Sequence, residues 1–184
     1  MTLKYAGIEF EHREIELKNK PKSMLMVSPK GTVPVLCVDE TVIDQSLEIM
    51  RWALAKSDPH AWALVDEILA HQWVQKNDGP FKILLDQYKY SDQRLQENSQ
   101  WVFDEAVKLM LEPMESALRD SNYLFGPNIS WVDVAIFPFV RQFSMVNPKQ
   151  FQALPFPSIK KWLNEHIKSE LFTSVMHKYP SWID

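Results

Sequence analysis

The apolar residues of this chain change period near residue 60. Up to Ser57 they fall in short β-type runs, EFEHREIEL, VPVLCV and TVID, separated by turn chemistry and followed by a helical pattern. From Ala61 onward they repeat at helical spacing, as in AWALVDEILAHQWV, WVFDEAVKLMLEPMESAL, WVDVAIFPFVRQF and SIKKWLNEHI. Strands present a face every second residue and helices every three or four, so the two halves need different partners. The sequence therefore predicts an α/β domain over 1–57 and an all-α helical bundle over 61–184. KSDPH at 56–60 is the natural connection, because Pro59 biases Asp58 away from helix and the charged residues suit a surface.

The 184 residues are 46% hydrophobic and include seven Trp, enough large apolar side chains for a packed core. A formal net charge of -4 argues against a nucleic-acid partner, which calls for a basic patch. No apolar run approaches the ~20 residues of a membrane span, and MTLKYAGIEFEHREIEL lacks the layout of a signal peptide, so no membrane partner and a cytoplasmic location are expected. A single cysteine excludes an internal disulfide. Cys37 lies in the apolar run VLCV, which predicts a buried, inert thiol. His12, His60, His71, His166 and His177 show no ligand spacing, so no metal is expected. Trp73 and Met145 are read as core, with the edge of a ligand pocket as the alternative.

In the first part, LKYAG predicts a final helical turn closed by Gly7 in the left-handed region. A strand is expected from Phe10 to Leu17, one or two helical turns in PKSMLMVS, a turn at PKGT, and strands at 34–38 and 41–43. Leu47, Met50 and Leu54 then repeat at helical spacing, with Asp44 as a plausible N-cap. Pro34 has two readings. It is a tolerated proline at the start of a strand, or it follows a cis peptide whose bend leaves the N–H and C=O of Val33 free to pair with an extended, peptide-like ligand. Gln45 and Ser46 fall in the first helical turn, where free N–H groups favour an anion; Ser46 and Asp44 serving merely as caps is the simpler alternative. Taken with Val33, the pattern suits a small peptide with a free α-carboxylate.

The segments ELKNKP, SPKGTVPVL, VIDQSLEIM and LFGPNISWVDVAIFPFVRQF resemble the glutathione S-transferase family, in particular its bacterial cysteine-type and omega-like members. The resemblance implies a thioredoxin-like N-terminal domain over 1–57 and an all-helical C-terminal domain over 61–184, with glutathione as the substrate. It places Val33 and Pro34 against the cysteinyl backbone of glutathione, Gln45 and Ser46 at the γ-glutamyl end, and Lys20 at the glycyl carboxylate. Where many relatives carry Glu before the Ser, this chain has Gln45, which keeps a hydrogen-bonding group and loses a negative charge. Ser130 and Asp133 match the family's helix-capping motif, a structural role that their spacing supports independently. A homodimer is implied by the resemblance alone.

The family pattern begins with a strand, a loop carrying a catalytic Cys, Ser or Tyr, and a helix. This sequence aligns from within that helix, about 20 positions in by average element lengths. The thioredoxin-like domain is thus expected to be truncated, with its first strand absent and no catalytic residue assigned in this chain. A central strand contributes on the order of 10 kcal/mol through its ladder and buried side chains. The sequence therefore implies a longer natural chain, a rearranged strand pairing or a partner chain in that place. The function expected is glutathione binding, with thiol transfer or conjugation to a small electrophile or mixed disulfide in the complete form. The alternative is a non-catalytic binding or regulatory module of the same shape.

Overall fold

The computed structural model describes residues 1–90 and 96–184. These residues form two compact units: Met1–His60 together with Glu170–Asp184, and Ala61–Ser169. The first unit opens with helix α1 (Thr2–Tyr5), which ends as the glycine predicts. Gly7 has φ 69°, its N–H donates to Lys4 O at 3.1 Å, and Ile8 N–H donates to Leu3 O at 3.0 Å. These two bonds satisfy carbonyls that a helix end leaves open. Helix α2 (Lys22–Val27) is followed by strands β1 (Leu36–Val38) and β2 (Thr41–Ile43), an antiparallel hairpin in which Leu36 faces Ile43 and Val38 faces Thr41. Helix α3 (Ser46–Lys56) packs on α1. The Tyr5 hydroxyl donates to Asp58 at 2.7 Å and accepts from His60 N–H at 2.8 Å, which ties α1 to the residues that follow α3.

Residues 10–17 do not form the predicted strand. A strand persists only with a continuous ladder partner, and among the described residues this segment makes only isolated bridges. Glu14 makes a parallel one to Ser181, and Glu16 folds back on Asn19. The apolar core of the first unit is correspondingly thin. Among its described residues, Ala6, Ile49 and Ala53 are the buried apolar ones, while Phe10, Leu17, Leu25 and Met26 are exposed.

The second unit is helical, and the helices follow the predicted apolar spacing. Helix α4 (Glu67–Lys76) starts at Asp66, whose carboxylate accepts from Leu69 N–H at 2.9 Å. It widens through a π-turn at Asn77–Phe81 into α5 (Lys82–Tyr90). Helix α6 (Gln96–Ala106) passes through a second π-turn, Val107–Leu111, into α7 (Glu112–Leu118). Pro80 lies in the first π-turn and Pro113 two residues beyond the second. A proline lacks the donor for a helical bond and crowds the preceding turn, and a wider turn relieves both. Helix α8 (Trp131–Val146), α9 (Pro148–Ala153) and α10 (Pro157–Lys168) complete the unit. Phe81, Tyr88, Phe103 and Phe143 form an aromatic cluster with ring centroids 5.2 to 5.7 Å apart. Trp73 is buried, whereas Met145, read from its spacing as core, is 58% exposed. Helix α10 has no side-chain cap at Phe156. The carboxylate of Glu115 on α7 supplies one across the bundle, accepting from Ser158 and Ile159 N–H at 3.1 and 2.9 Å.

Residues 170–184, assigned from the sequence to the helical part, cluster with the first unit instead. They comprise helix α11 (Glu170–Val175) and an extended segment. Periodicity carries no information about which unit a segment joins.

Asp133 is the polar centre of the helical unit. It is fully buried and accepts four hydrogen bonds. Leu124 N–H and Trp162 Nε1–H reach Oδ1 at 3.0 and 2.9 Å, and Ser130 N–H and Ser130 Oγ–H reach Oδ2 at 3.0 and 2.6 Å. The Ser130 hydroxyl in turn lies 3.4 Å from Asp133 N–H, completing the capping box of α8. Burial pushes this carboxyl above its ordinary value, and the four donors oppose the rise. Asp133→Ala orphans several buried donors at ~1–3 kcal/mol each, so a loss of at least ~3 kcal/mol is expected in urea unfolding followed by helical circular dichroism. Asp133→Asn, which keeps one acceptor, should lose less.

His166 lies beside this centre, packed on Phe137 at 5.0 Å and Trp162 at 4.6 Å between centroids. Its Nε2 has no hydrogen-bond partner among the described residues. Burial pushes its pKa down from 6.5 to about 4. The unfolded chain therefore takes up a proton at a pH where the folded ring stays neutral, and stability falls as pH drops from about 6.5 towards 4. Between pH 7 and 5 this amounts to about 2 kcal/mol. Urea midpoints should move accordingly, and His166→Phe should flatten that slope.

Candidate functional site

The candidate site residues lie in the first unit, on the turns that flank the β1–β2 hairpin. Ahead of it, Gly31 closes the PKGT turn by donating its N–H to Ser28 O at 2.8 Å, with φ 60°. A Cβ at Gly31 would lie 3.1 Å from Leu25 Cδ2 and 3.4 Å from Lys20 Cδ, so both the backbone and the space select glycine. The same close approach lays the Lys20 side chain over the turn, with its Nζ 3.6 Å from that Cβ position. Lys20 has no ion-pair partner among the described residues.

Two residues further on, the Val33–Pro34 peptide bond is cis. Val33 is 48% exposed, and among the described residues its backbone N–H and C=O have no hydrogen-bond partner. The ladder starts at Leu36, beyond the proline. Behind the hairpin, Gln45 is the N-cap of α3, extended at φ -121° and ψ 128°, and its side chain does not cap the helix. Ser46 is the first helical residue, and both residues are exposed. The first-turn N–H groups of this 11-residue helix thus point outward without a side-chain cap.

Asp44 is not the cap expected of it. Its carboxylate instead pairs with Lys30 Nζ at 2.9 Å, with the Asp side chain 26% exposed. This bridge joins the turn before Val33 to the residue before Gln45. It escaped the sequence reading because Asp44 stands where a helix cap is common, and a cap and an ion pair draw on the same carboxylate. Cys37 is also corrected: it is exposed. In β1 the two flanking residues are the more buried ones, so the pleat turns the cysteine to the other face.

The arrangement has definite chemical capacities. A backbone donor and acceptor without partners among the described residues can take up an extended peptide, and a helix start and an ammonium likewise without partners among them can each receive a carboxylate. Among the described residues there is no cluster of side chains able to hold a metal, and no helix is long and apolar enough to cross a membrane. Ser130 and Asp133 lie in the other unit, where they cap α8.

Comparison with known proteins gives concordant results for both parts of the chain. A family model described as "Glutathione S-transferase, N-terminal domain" matches residues 1–56, and one described as "Glutathione S-transferase, C-terminal domain" matches 60–165. Hematopoietic prostaglandin D synthase of Gallus gallus is 29% identical over 129 residues, covering 70% of this chain and 64% of that protein. Glutathione S-transferase U19 of Arabidopsis thaliana is 27% identical over 185 aligned positions, covering 93% of this chain and 73% of the relative. The chain thus spans less than two thirds of the first of these relatives. Among solved structures, glutathione transferase Omega 3C from Trametes versicolor superposes with a TM-score of 0.80 at 17% identity, over 98% of this chain and 83% of that one. Poplar glutathione transferase F1 gives 0.76 at 21% identity, over 95% and 88%.

The turn geometry is directly testable. Gly31→Ala forces a Cβ into the left-handed region against Leu25 and Lys20, and a loss of about 1–2 kcal/mol is expected. Thermal unfolding of the variant beside the parent protein measures it.

Proposed function

Because this chain belongs to the glutathione S-transferase family, we propose that it binds glutathione along Val33 and Pro34, between the Lys20 ammonium and the start of α3. The observation that carries this reading is the unpaired backbone of exposed Val33. A cysteinyl residue pairing there as an added antiparallel strand supplies the missing N–H and C=O partners. The γ-glutamyl carboxylate then meets Ser46 and the first-turn N–H groups, where the helix dipole favours an anion. Gln45 accepts from the γ-glutamyl ammonium as a neutral group, giving a weaker contact than a carboxylate would. Lys20 receives the glycyl carboxylate. The Lys30–Asp44 bridge holds the two flanking turns in register.

For the chemistry, glutathione bound in this way serves as the thiol substrate. Its thiolate attacks a small electrophile, forming a thioether, or attacks a mixed disulfide, giving glutathione disulfide and releasing the other thiolate. Lys20, Val33, Gln45 and Ser46 bind and orient, and none of them is assigned a catalytic role. A second reading, a glutathione-binding module without turnover, is favoured by the composition of that set, which contains no thiol, acid or base directed at the cysteinyl position. Cytoplasmic residence and a homodimer complete the proposal.

Calorimetric titration with glutathione tests it. Lys20→Ala should weaken binding about tenfold, the equivalent of one charge-assisted hydrogen bond, and Ser46→Ala about fivefold. Parent protein that takes up no glutathione at millimolar concentration overturns the reading. Turnover of a model electrophile or a glutathione mixed disulfide separates the enzyme from the binding module.

A further inference from the structure

Residues 179–184 lie along the segment that sequence reasoning assigns to a strand. Trp182 N–H donates to Glu14 O at 2.6 Å, and Glu14 and Ser181 form a parallel bridge. The side chains repeat the pairing. The Arg13 guanidinium sits 4.1 Å over the Trp182 ring, the His12 and Tyr179 rings are 4.4 Å apart, and Ser181 Oγ approaches Glu16 Oε1 at 3.4 Å. A cleft of about 300 Å³ runs between the two segments, lined by His12, Glu14, Tyr179 and Trp182 among others. At its far end the same segment reaches α2. Asp184 Oδ2 accepts from Ser23 N–H at 3.1 Å, and the Ser23 hydroxyl donates to Asp184 Oδ1.

These contacts fall on both sides of Lys20. Glu14 and Glu16 precede it, Ser23 follows it, and the intervening loop is thereby held at both ends by one segment of chain.

We propose that Tyr179–Asp184 is a strap that docks in parallel on residues 12–16 and on Ser23, and that by fixing both ends of the 17–22 loop it positions Lys20 for the ligand's carboxylate. Lys20 is the binding group, while Trp182 and Asp184 are positioning residues. The docking stands on the contacts above, and its effect on ligand rests on the glutathione reading. A chain in which the strap is released keeps all its glutathione contacts except the one made by Lys20. Docking and ligand binding are therefore coupled through a single side chain.

Two measurements on the full chain test this. In hydrogen exchange by NMR, Asp184→Ala and Trp182→Pro should each speed exchange of the Ser23 amide by about tenfold or more, while the hairpin amides of Val38 and Thr41 stay unchanged. Asp184→Asn, which retains an acceptor, should restore much of the protection. Unchanged Ser23 exchange in both variants overturns the strap. In glutathione titration, Trp182→Pro should weaken binding several-fold in the parent background and hardly at all when Lys20→Ala is already present. Additive losses overturn the coupling while leaving the strap intact. Parent protein that binds no glutathione overturns the proposed function and the coupling together, and Ser23 exchange still decides whether the strap is docked.

Discussion

A carboxylate shut off from bulk solvent organises the helical unit. Asp133 is inaccessible, and its two oxygens take four donors from the loop at Leu124, the start of α8 and the indole of Trp162 on α10. A buried carboxylate is tolerated only when its lone pairs are used. The loop and two helices must therefore converge on one point, which fixes where α10 crosses α8. Trp162 and Phe137, buried beside it, then pack edge to face at 6.2 Å. Glu115 does similar work from α7 by capping a helix that has no cap of its own.

The two units are held by different physics. The helical unit buries Phe81, Ile136, Phe137, Phe143, Ile159 and Trp162 almost completely, each contributing about 1.5–3 kcal/mol or more. The first unit buries little apolar surface and relies on polar ties at its surface, such as Tyr5 with Asp58 and His60, and Lys30 with Asp44. Exposed pairs of that kind contribute little individually. Local opening is therefore concentrated in the unit that carries the candidate ligand-binding turns. A ligand that supplies hydrogen bonds to Val33 and Ser46 stabilises the unit it binds.

The local geometry of the candidate site was legible where each part depends on near neighbours in sequence. Gly31, Val33, Pro34 and Ser46 sit in one short stretch whose turn and helix-start chemistry can be read residue by residue. What escaped reading depends on groups distant in sequence. Asp44 could be a cap or an ion-pair partner, and Lys30 decides which. Cys37 looked buried because its neighbours are apolar, and the pleat places it outward. Residues 10–17 carry strand-forming residues, yet a strand is a property of two segments, and the second one was not visible in the pattern.

The sequence alone determined where the chain changes from mixed to helical structure, that Gly7 closes α1 and PKGT forms a turn, and that a capping box opens the helix at Trp131. Those features are set by interactions within a few residues, where backbone geometry and side-chain reach leave few choices. Tertiary structure alone decided that residues 170–184 join the first unit, that Trp182 meets Glu14, and that Asp133 serves three elements at once. These contacts join residues up to 168 positions apart, and at such separations periodicity and propensity contain no record of which groups will meet.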